Sequence, residues 1–457
     1  MTARYQLSWG QSPLHSSMAQ VLRSATLIAV LLPGTALAQA PAAERLSLDD
    51  AVTRAVAASH RLGEARARQQ GAEAAVEVRR KADVPTITAL AGYTRTNHID
   101  EFGVPQPDGR LRVIYPDIPD NYRTRLELQW PVYTSGRTNA LERAAQAEAT
   151  ASGAELEAAR LDLRLEVARA YWALVTARDT VRVLEAALAT ADRSLADVRN
   201  RVEAGLLPPN DVSRSEAQRA RQELLLIEAR GRVDSVTLDL RRLLDLPDGT
   251  TVETTDGLAV PAPAERDGAT LIGEALKQRP ELAAIAGRAL AQQERIAAIA
   301  TARKPSIAVV SGVDWANPNP RIFPRQDKWQ ESWDLSVNLS WQLFDWGRNA
   351  AERTEAQFAI TALNERKADT ETQIRSDVQK QLVELGTTQA ALVPARLAVT
   401  AAQETQRVVA DRFDAGVATT LDVLDAQLAV LQAELDRTRV LADLRLSEAR
   451  LARVLGR

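Results

Sequence analysis

Cysteine is absent from this chain, methionine occurs twice in 457 residues, and aromatic residues make up only 4% of it. Without cysteine there is no disulfide framework, no thiolate nucleophile or metal ligand, and no lipid-anchored Cys behind an export signal. Beyond the N-terminal leader the only histidines are His60 and His98, too few for a zinc cluster. A Gly-rich phosphate loop, a Gly-x-Ser-x-Gly turn and a His-Glu-x-x-His pair are missing as well. These gaps exclude most enzyme chemistry, so no catalytic residue, cofactor or metal site is expected. The balance of 57 basic and 60 acidic residues, net charge -3, gives no electrostatic footprint for nucleic acid.

What remains is a background rich in Ala, Leu, Arg and Glu with 21 Gly and 20 Pro, a composition of long helices. At the N-terminus an apolar run from Ala25 to Leu32 leads to Ala36-Leu37-Ala38, which reads as a secretory signal peptide, residues 1–38, cut after Ala38. The stretch before the run is long and charged, which makes Met18 a second candidate start.

The rest is written twice. Leu128-Gln129-Trp130 leads through Tyr133 to Gly136-Arg137, and Leu339-Ser340-Trp341 leads through Phe344 to Gly347-Arg348, a shift of 211 between Trp130 and Trp341 and between Gly136 and Gly347. Arg201-Val202-Glu203-Ala204-Gly205, followed by Asp211-Val212, recurs 211 residues later as Arg412-Phe413-Asp414-Ala415-Gly416, followed by Asp422-Val423. Copies this far apart are too long for a solenoid and indicate a duplicated half-molecule.

From Arg137 to Ala204 the chain has no Pro and a single Gly, Gly153, with Leu161, Leu165, Val167, Leu174 and Val175 at helical spacing. At about 1.5 Å per residue that is a helix of roughly 100 Å. Gly205 supplies a left-handed stop and Pro208-Pro209 a turn. The return is expected as one helix from Asn210 to Leu244, a linker over 246–268, and a second helix from Ala269 to Arg303. The second copy predicts a long helix from Arg348 to Ala415, kinked at Pro394, and a half-length partner from Leu421 to Leu455; the N-terminal stretch Leu46 to Val84 is the remaining half-length helix. Helices this long cannot bury an apolar stripe in a compact ball and require coiled-coil neighbours. The resulting plan is 39–84 for the N-terminal segment and helix, 85–135 for the first hairpin, 136–245 for long helix, tip and return, then the linker, 269–304 for the second-repeat helix, 305–346 for the second hairpin, and 347–457 for the second long helix, tip and return.

In the hairpins the period changes to two. Trp333, Leu335, Val337, Leu339, Trp341 and Leu343 alternate with Asp334, Ser336, Asn338, Ser340 and Gln342. Leu126, Leu128, Trp130 and Val132 alternate with Arg125, Glu127 and Gln129; Ile307, Val309, Val313 and Trp315 and then Ile87, Ala89 and Tyr93 complete four strands. Such alternation arises in any sheet with one solvated face and equally in a transmembrane barrel that is apolar outside. Aromatic placement favours the barrel, since Trp130, Trp315, Trp333 and Trp341 mark the edges of an apolar band. The eight residues from Trp333 to Trp341 span roughly 26 Å at about 3.3 Å per residue, close to the height of an outer-membrane band. Four strands cannot close a barrel, and open edges are not tolerated in lipid, so an oligomeric barrel is required. The fold class expected is mainly α with a small transmembrane β part.

With both tip motifs in order, Arg201 to Leu206 then Asp211-Val212, and Arg412 to Val417 then Asp422-Val423-Leu424-Asp425, the chain closely resembles the TolC-type outer-membrane efflux family over Leu46 to Leu455. The resemblance implies a homotrimer with a 12-stranded barrel and a periplasmic α-barrel tunnel. It also implies an exit duct for a tripartite efflux pump or type I secretion system, docked to a periplasmic adaptor protein and driven by an inner-membrane pump. It places Arg201, Gly205, Leu206, Asp211, Arg412, Gly416 and Val417 in adaptor-contact tips, and Asp422 and Asp425 in a carboxylate ring at the periplasmic entrance. Read from the residues alone, the glycines end helices, the arginines neutralise carbonyl ends, and the two aspartates are first-turn acids. Ala418 stands where the family holds a basic residue that helps to lock the tip, Phe413 replaces a tyrosine, and Pro208-Pro209 stiffens the first tip. The alternative reading is a soluble periplasmic coiled-coil adaptor or scaffold, which would leave the Trp-edged hairpins exposed without use.

Overall fold

The computed structural model describes residues 44–259 and 267–457; the leader expected at 1–38 lies outside them. Strand β1 (Glu44–Leu46) leads into helices α1 (Leu48–Ala58) and α2 (His60–Arg80), a 3-10 turn at Lys81–Asp83 that recurs in the second copy at Thr301–Arg303, and strand β2 (Thr86–Arg95). A small hairpin, β3 (Phe102–Pro105) and β4 (Leu111–Tyr115), precedes β5 (Asp120–Tyr133), α3 (Arg137–Glu203) and α4 (Asn210–Leu244). Then come β6 (Val252–Thr254), α5 (Gly268–Gln278), α6 (Pro280–Ala300), β7 (Ser306–Asn317), β8 (Gln330–Ser340), α7 (Arg348–Asp414) and α8 (Thr420–Val454).

The two long helices are each 67 residues, about 100 Å, and their return helices are each 35 residues. Pro394 lies inside α7 without ending it. Two half-length helices expected to be continuous are broken. The N-terminal one divides at Ser59, which closes α1 and caps α2 by accepting from Leu62 N. The other divides at Arg279, held extended because Pro280 follows. The expected linker is also partly ordered: β6 runs parallel to β1, and Tyr171 of α3 clasps the pair, its hydroxyl shared between two acceptors, Leu46 O at 3.0 Å and Asp256 Oδ2 at 2.9 Å. Burial pushes the Tyr171 hydroxyl up to about 12. Around it Leu62, Val167, Leu174, Leu240 and Leu244 form the largest apolar core, where α1, α2, α3 and α4 meet.

Four of the strands form one antiparallel sheet in the order β2-β5-β7-β8, so the two copies sit side by side and, among the described residues, β2 and β8 are unpaired edges. The predicted apolar alternation reached Leu343, but β8 ends at Ser340, and Trp341 and Leu343 lie in the connection to α7. That connection repeats too. Ser135-Gly136 and Trp346-Gly347 all have positive φ, a two-residue reversal that turns each sheet strand directly into a long helix.

Candidate functional site

At the far ends of the helices both tips close by the same Schellman turn. Leu206 N donates to Arg201 O at 2.8 Å and Gly205 N to Val202 O at 2.9 Å; Val417 N donates to Arg412 O at 2.9 Å and Gly416 N to Phe413 O at 3.0 Å. Gly205 and Gly416 take the left-handed conformation that this turn demands, leaving Leu206 and Val417 exposed at the extreme end.

Beyond the backbone the tips diverge, and they are joined. Arg201 reaches from the first tip to the second: it donates to Phe413 O at 3.1 Å, pairs with Asp414, and lays its guanidinium 4.4 Å from the centre of the buried Phe413 ring. Asp211, expected on the docking surface, is only 7% exposed and accepts a hydrogen bond of 2.9 Å from Thr420 Oγ1, itself 2% exposed. Its counterpart Asp422 is exposed and serves its own helix. Its carboxylate accepts from Thr419 N at 2.7 Å and Thr419 Oγ1 at 2.8 Å, while Thr419 Oγ1 accepts from Asp422 N, a complete capping box. The Thr419 backbone and hydroxyl bonds, with a smaller contribution from Arg412, hold this carboxyl below the ordinary aspartate value. Asp425 is exposed beside it, three residues on and hence on the same face.

Reading the sequence did not identify Thr420 or Asp414 as partners. A signal was available for Thr420: aligned 211 apart, Pro208 stands opposite Thr419. Proline has neither the N–H nor the hydroxyl that a capping box uses, so Asp211 forms no capping box; one carboxylate oxygen lies 3.8 Å from Arg214 of its own helix and the other turns across to Thr420 of the second tip.

The sheet presents two unlike faces. On one, Leu126, Val313, Trp315, Trp333, Leu335, Val337 and Leu339 are all exposed, with Trp333 at 73%. On the other, Arg125 bonds Asp314 at 2.6 Å, Asp334 at 2.8 Å and Glu127 at 3.0 Å, and Arg123 bonds Asp314 at 2.6 Å. Arg125 lies across Gly312, where any Cβ would collide with the guanidinium. The glycine is therefore a fitted gap in the strand that lets one cation serve carboxylates on two neighbouring strands.

A continuous apolar face on an open sheet distinguishes a membrane channel from a soluble scaffold, and the comparisons with known proteins agree. The family described as "Outer membrane efflux protein" matches residues 51–245 and 271–457. The chain belongs to the outer membrane efflux protein family. It is 24% identical to outer membrane protein TolC of Vibrio cholerae over 398 residues, covering 85% of this chain and 86% of that one. It is 24% identical to the cobalt-zinc-cadmium resistance protein CzcC of Cupriavidus metallidurans over 362 residues, 77% and 81% of the two chains. Among solved structures, the outer membrane protein VceC of Vibrio cholerae superposes with a TM-score of 0.73 at 20% identity, covering 90% of this chain and 96% of that one.

As an outer membrane efflux protein the chain is a non-enzymatic exit channel of the outer membrane, with a periplasmic tunnel, and it works with adaptor and pump partners. The soluble-scaffold alternative is set aside. Both repeats of this channel pin a tryptophan at the helical end of the sheet: Trp130 Nε1 donates to Asp83 O at 3.0 Å and Trp341 Nε1 to Arg303 O at 3.1 Å. Trp315 and Trp333 stand toward the opposite end of the strands, where Tyr93, Tyr122 and Trp329 also cluster, with ring centroids 5.1 and 6.0 Å apart. An indole with an apolar body and a bonded N–H suits a membrane–water boundary.

Proposed function

We propose that three copies of this chain close a single 12-stranded barrel and continue it as a helical tunnel whose periplasmic mouth lies at the tips. The observation that carries this reading is the pair of unpaired edges, β2 and β8, on a four-stranded sheet with an apolar outer face. Unpaired backbone groups in hydrocarbon cost several kcal/mol each, so each edge needs a neighbour, and every residue of β2 is exposed in the single chain. The helices point the same way. Leu224, Ile227 and Leu238 on α4, and Phe358, Val383 and Leu397 on α7, are exposed apolar side chains that a neighbouring copy would cover.

In this assembly Asp422 and Asp425 supply a ring of six carboxylates at the mouth, a site for cations. Gly205, Leu206, Arg412, Gly416 and Val417 form the exposed surface to which the adaptor docks, and an inner-membrane pump supplies the energy. Arg201 and Asp211 act one step behind that surface: they hold the second tip against the first and keep the mouth narrow. Trp130, Trp315, Trp333 and Trp341 mark the edges of the lipid band.

Two measurements test the reading. Light scattering of the detergent-extracted protein is expected to give the mass of three chains, and a monomer would overturn the barrel. In planar bilayers the channel is expected to prefer cations, and the double variant Asp422→Ala/Asp425→Ala to lose both that preference and block by multivalent cations. Unchanged selectivity would remove the ring.

A further inference from the structure

The connection between β7 and β8, residues 318–329, folds back over the charged face of the sheet instead of extending beyond it. Asn319 is 1% exposed, and its Nδ2 donates to Gln330 O and to Ser332 Oγ, both at 3.0 Å. Arg321 donates to Trp333 O at 2.6 Å and pairs with Asp334 at 2.9 Å. Arg325 crosses to the first hairpin, donating to Tyr115 OH at 2.9 Å and Asn121 Oδ1 at 3.1 Å, with its guanidinium 5.1 Å from the centre of the Tyr115 ring. Between connection and sheet lies a cavity of about 400 Å³ lined by Leu90, Arg123, Arg125, Pro318, Pro320 and Arg325. Ser332, Asp334, Arg125 and Asn121 share the polar face, so the segment covers the side of the sheet turned away from lipid, at the end farthest from the helices.

We propose that this segment is an inward-folded closure of the outer mouth of the barrel, latched by Arg321 on Asp334 and by Arg325 on Tyr115 and Asn121. The proposal rests on the trimeric barrel, in which the polar face lines the lumen and three such segments converge on the axis. Asp334 is held twice, by Arg125 from the sheet and by Arg321 from the segment. Removing Arg321 therefore frees the segment while leaving the carboxylate paired, so the sheet keeps its charge balance when the latch opens.

The absence of native cysteine makes a direct test possible. A reporter, Asn338→Cys, sits on the polar face of β8 below the segment; a control, Asp108→Cys, sits at the exposed turn of the β3–β4 hairpin. Intact cells are treated with a membrane-impermeant maleimide too large for porins, with and without Arg321→Ala/Arg325→Ala. The control is expected to react at one rate in both backgrounds. The reporter is expected to react slowly beneath the native segment and about tenfold faster in the double variant, as an open state becomes the main one. Equal reporter rates in the two backgrounds, with a reactive control, would overturn the closure alone. An unreactive control would overturn the barrel topology beneath it, and the closure with it. Trimers of unchanged mass would show that the arginine substitutions left the assembly folded.

Discussion

At the first tip Asp211 is buried and bonded across to Thr420, whereas at the second its counterpart 211 residues on, Asp422, is exposed and bonded to Thr419 of its own helix. The backbone turns before them are the same. The difference comes from a neighbour, Pro208 in one copy and Thr419 in the other, because only threonine can complete a capping box. One duplicated turn thus yields a latch acceptor in the first copy and a mouth carboxylate in the second. Arg201 and Arg412 diverge in the same way: the first spans to Phe413 and Asp414, and the second stays at the surface.

The strongest way to break this comparison is Arg201→Ala. Loss of a partly buried charged hydrogen bond costs about 1.5–3 kcal/mol, which would raise the open fraction of the mouth by about tenfold or more. Single-channel conductance in planar bilayers should rise accordingly, while Arg412→Ala should leave it near the wild-type level. Equal effects from the two arginines would mean that the tips are not divided into latch and surface. Thr420→Val should follow, at about 1–2 kcal/mol, since it strips the buried Asp211 carboxylate of its donor. Combined with Asp211→Asn it should be clearly non-additive, whereas additive losses would show that the two side chains do not act as a pair. The smallest effect is expected in the pH dependence of the second tip. The folded-state pKa of Asp422 lies below its ordinary value of 3.8, so its cap is fully present above that value and is lost as pH falls through the lower folded one. The melting difference between wild type and Asp422→Ala should be flat from about pH 8 to 5 and shrink only below about pH 4. A difference that fades near neutral pH would contradict the cap.

Much of this architecture is legible in the sequence because its signals are long. A run without proline from Arg137 to Ala204 and alternation across whole strands leave little freedom, and the 211-residue shift checks each copy against the other. Short signals fared worse. The break at Ser59 interrupts no apolar period, and Pro280 sits at a first helical position, where proline continues a helix as readily as it follows a break. Strands β1 and β6, three residues each, exist only because they pair with one another and sit under Tyr171. At the tips the glycine stops could be read directly, since a left-handed turn is a local demand. The latch could not, because Arg201 and Asp414 lie 213 residues apart and meet only once both long helices are laid side by side. The polar face of the sheet occupies a middle ground. Its charges were visible as alternation, but the role of Gly312 appears only when Arg125 is seen to lie over it.

Closure of the barrel between copies is tested most directly at the two open edges. In the cysteine-free background, one cysteine at Thr88 on β2 and a second scanned from Ser336 to Ser340 along β8 form a pair only where neighbouring chains meet, because β5 and β7 separate these strands within one chain. Oxidation in native membranes should convert the protein at one register into a covalent species of three chains and no more. Chains that stay monomeric at every register, or that grow into an open ladder beyond three, would contradict a closed trimeric barrel.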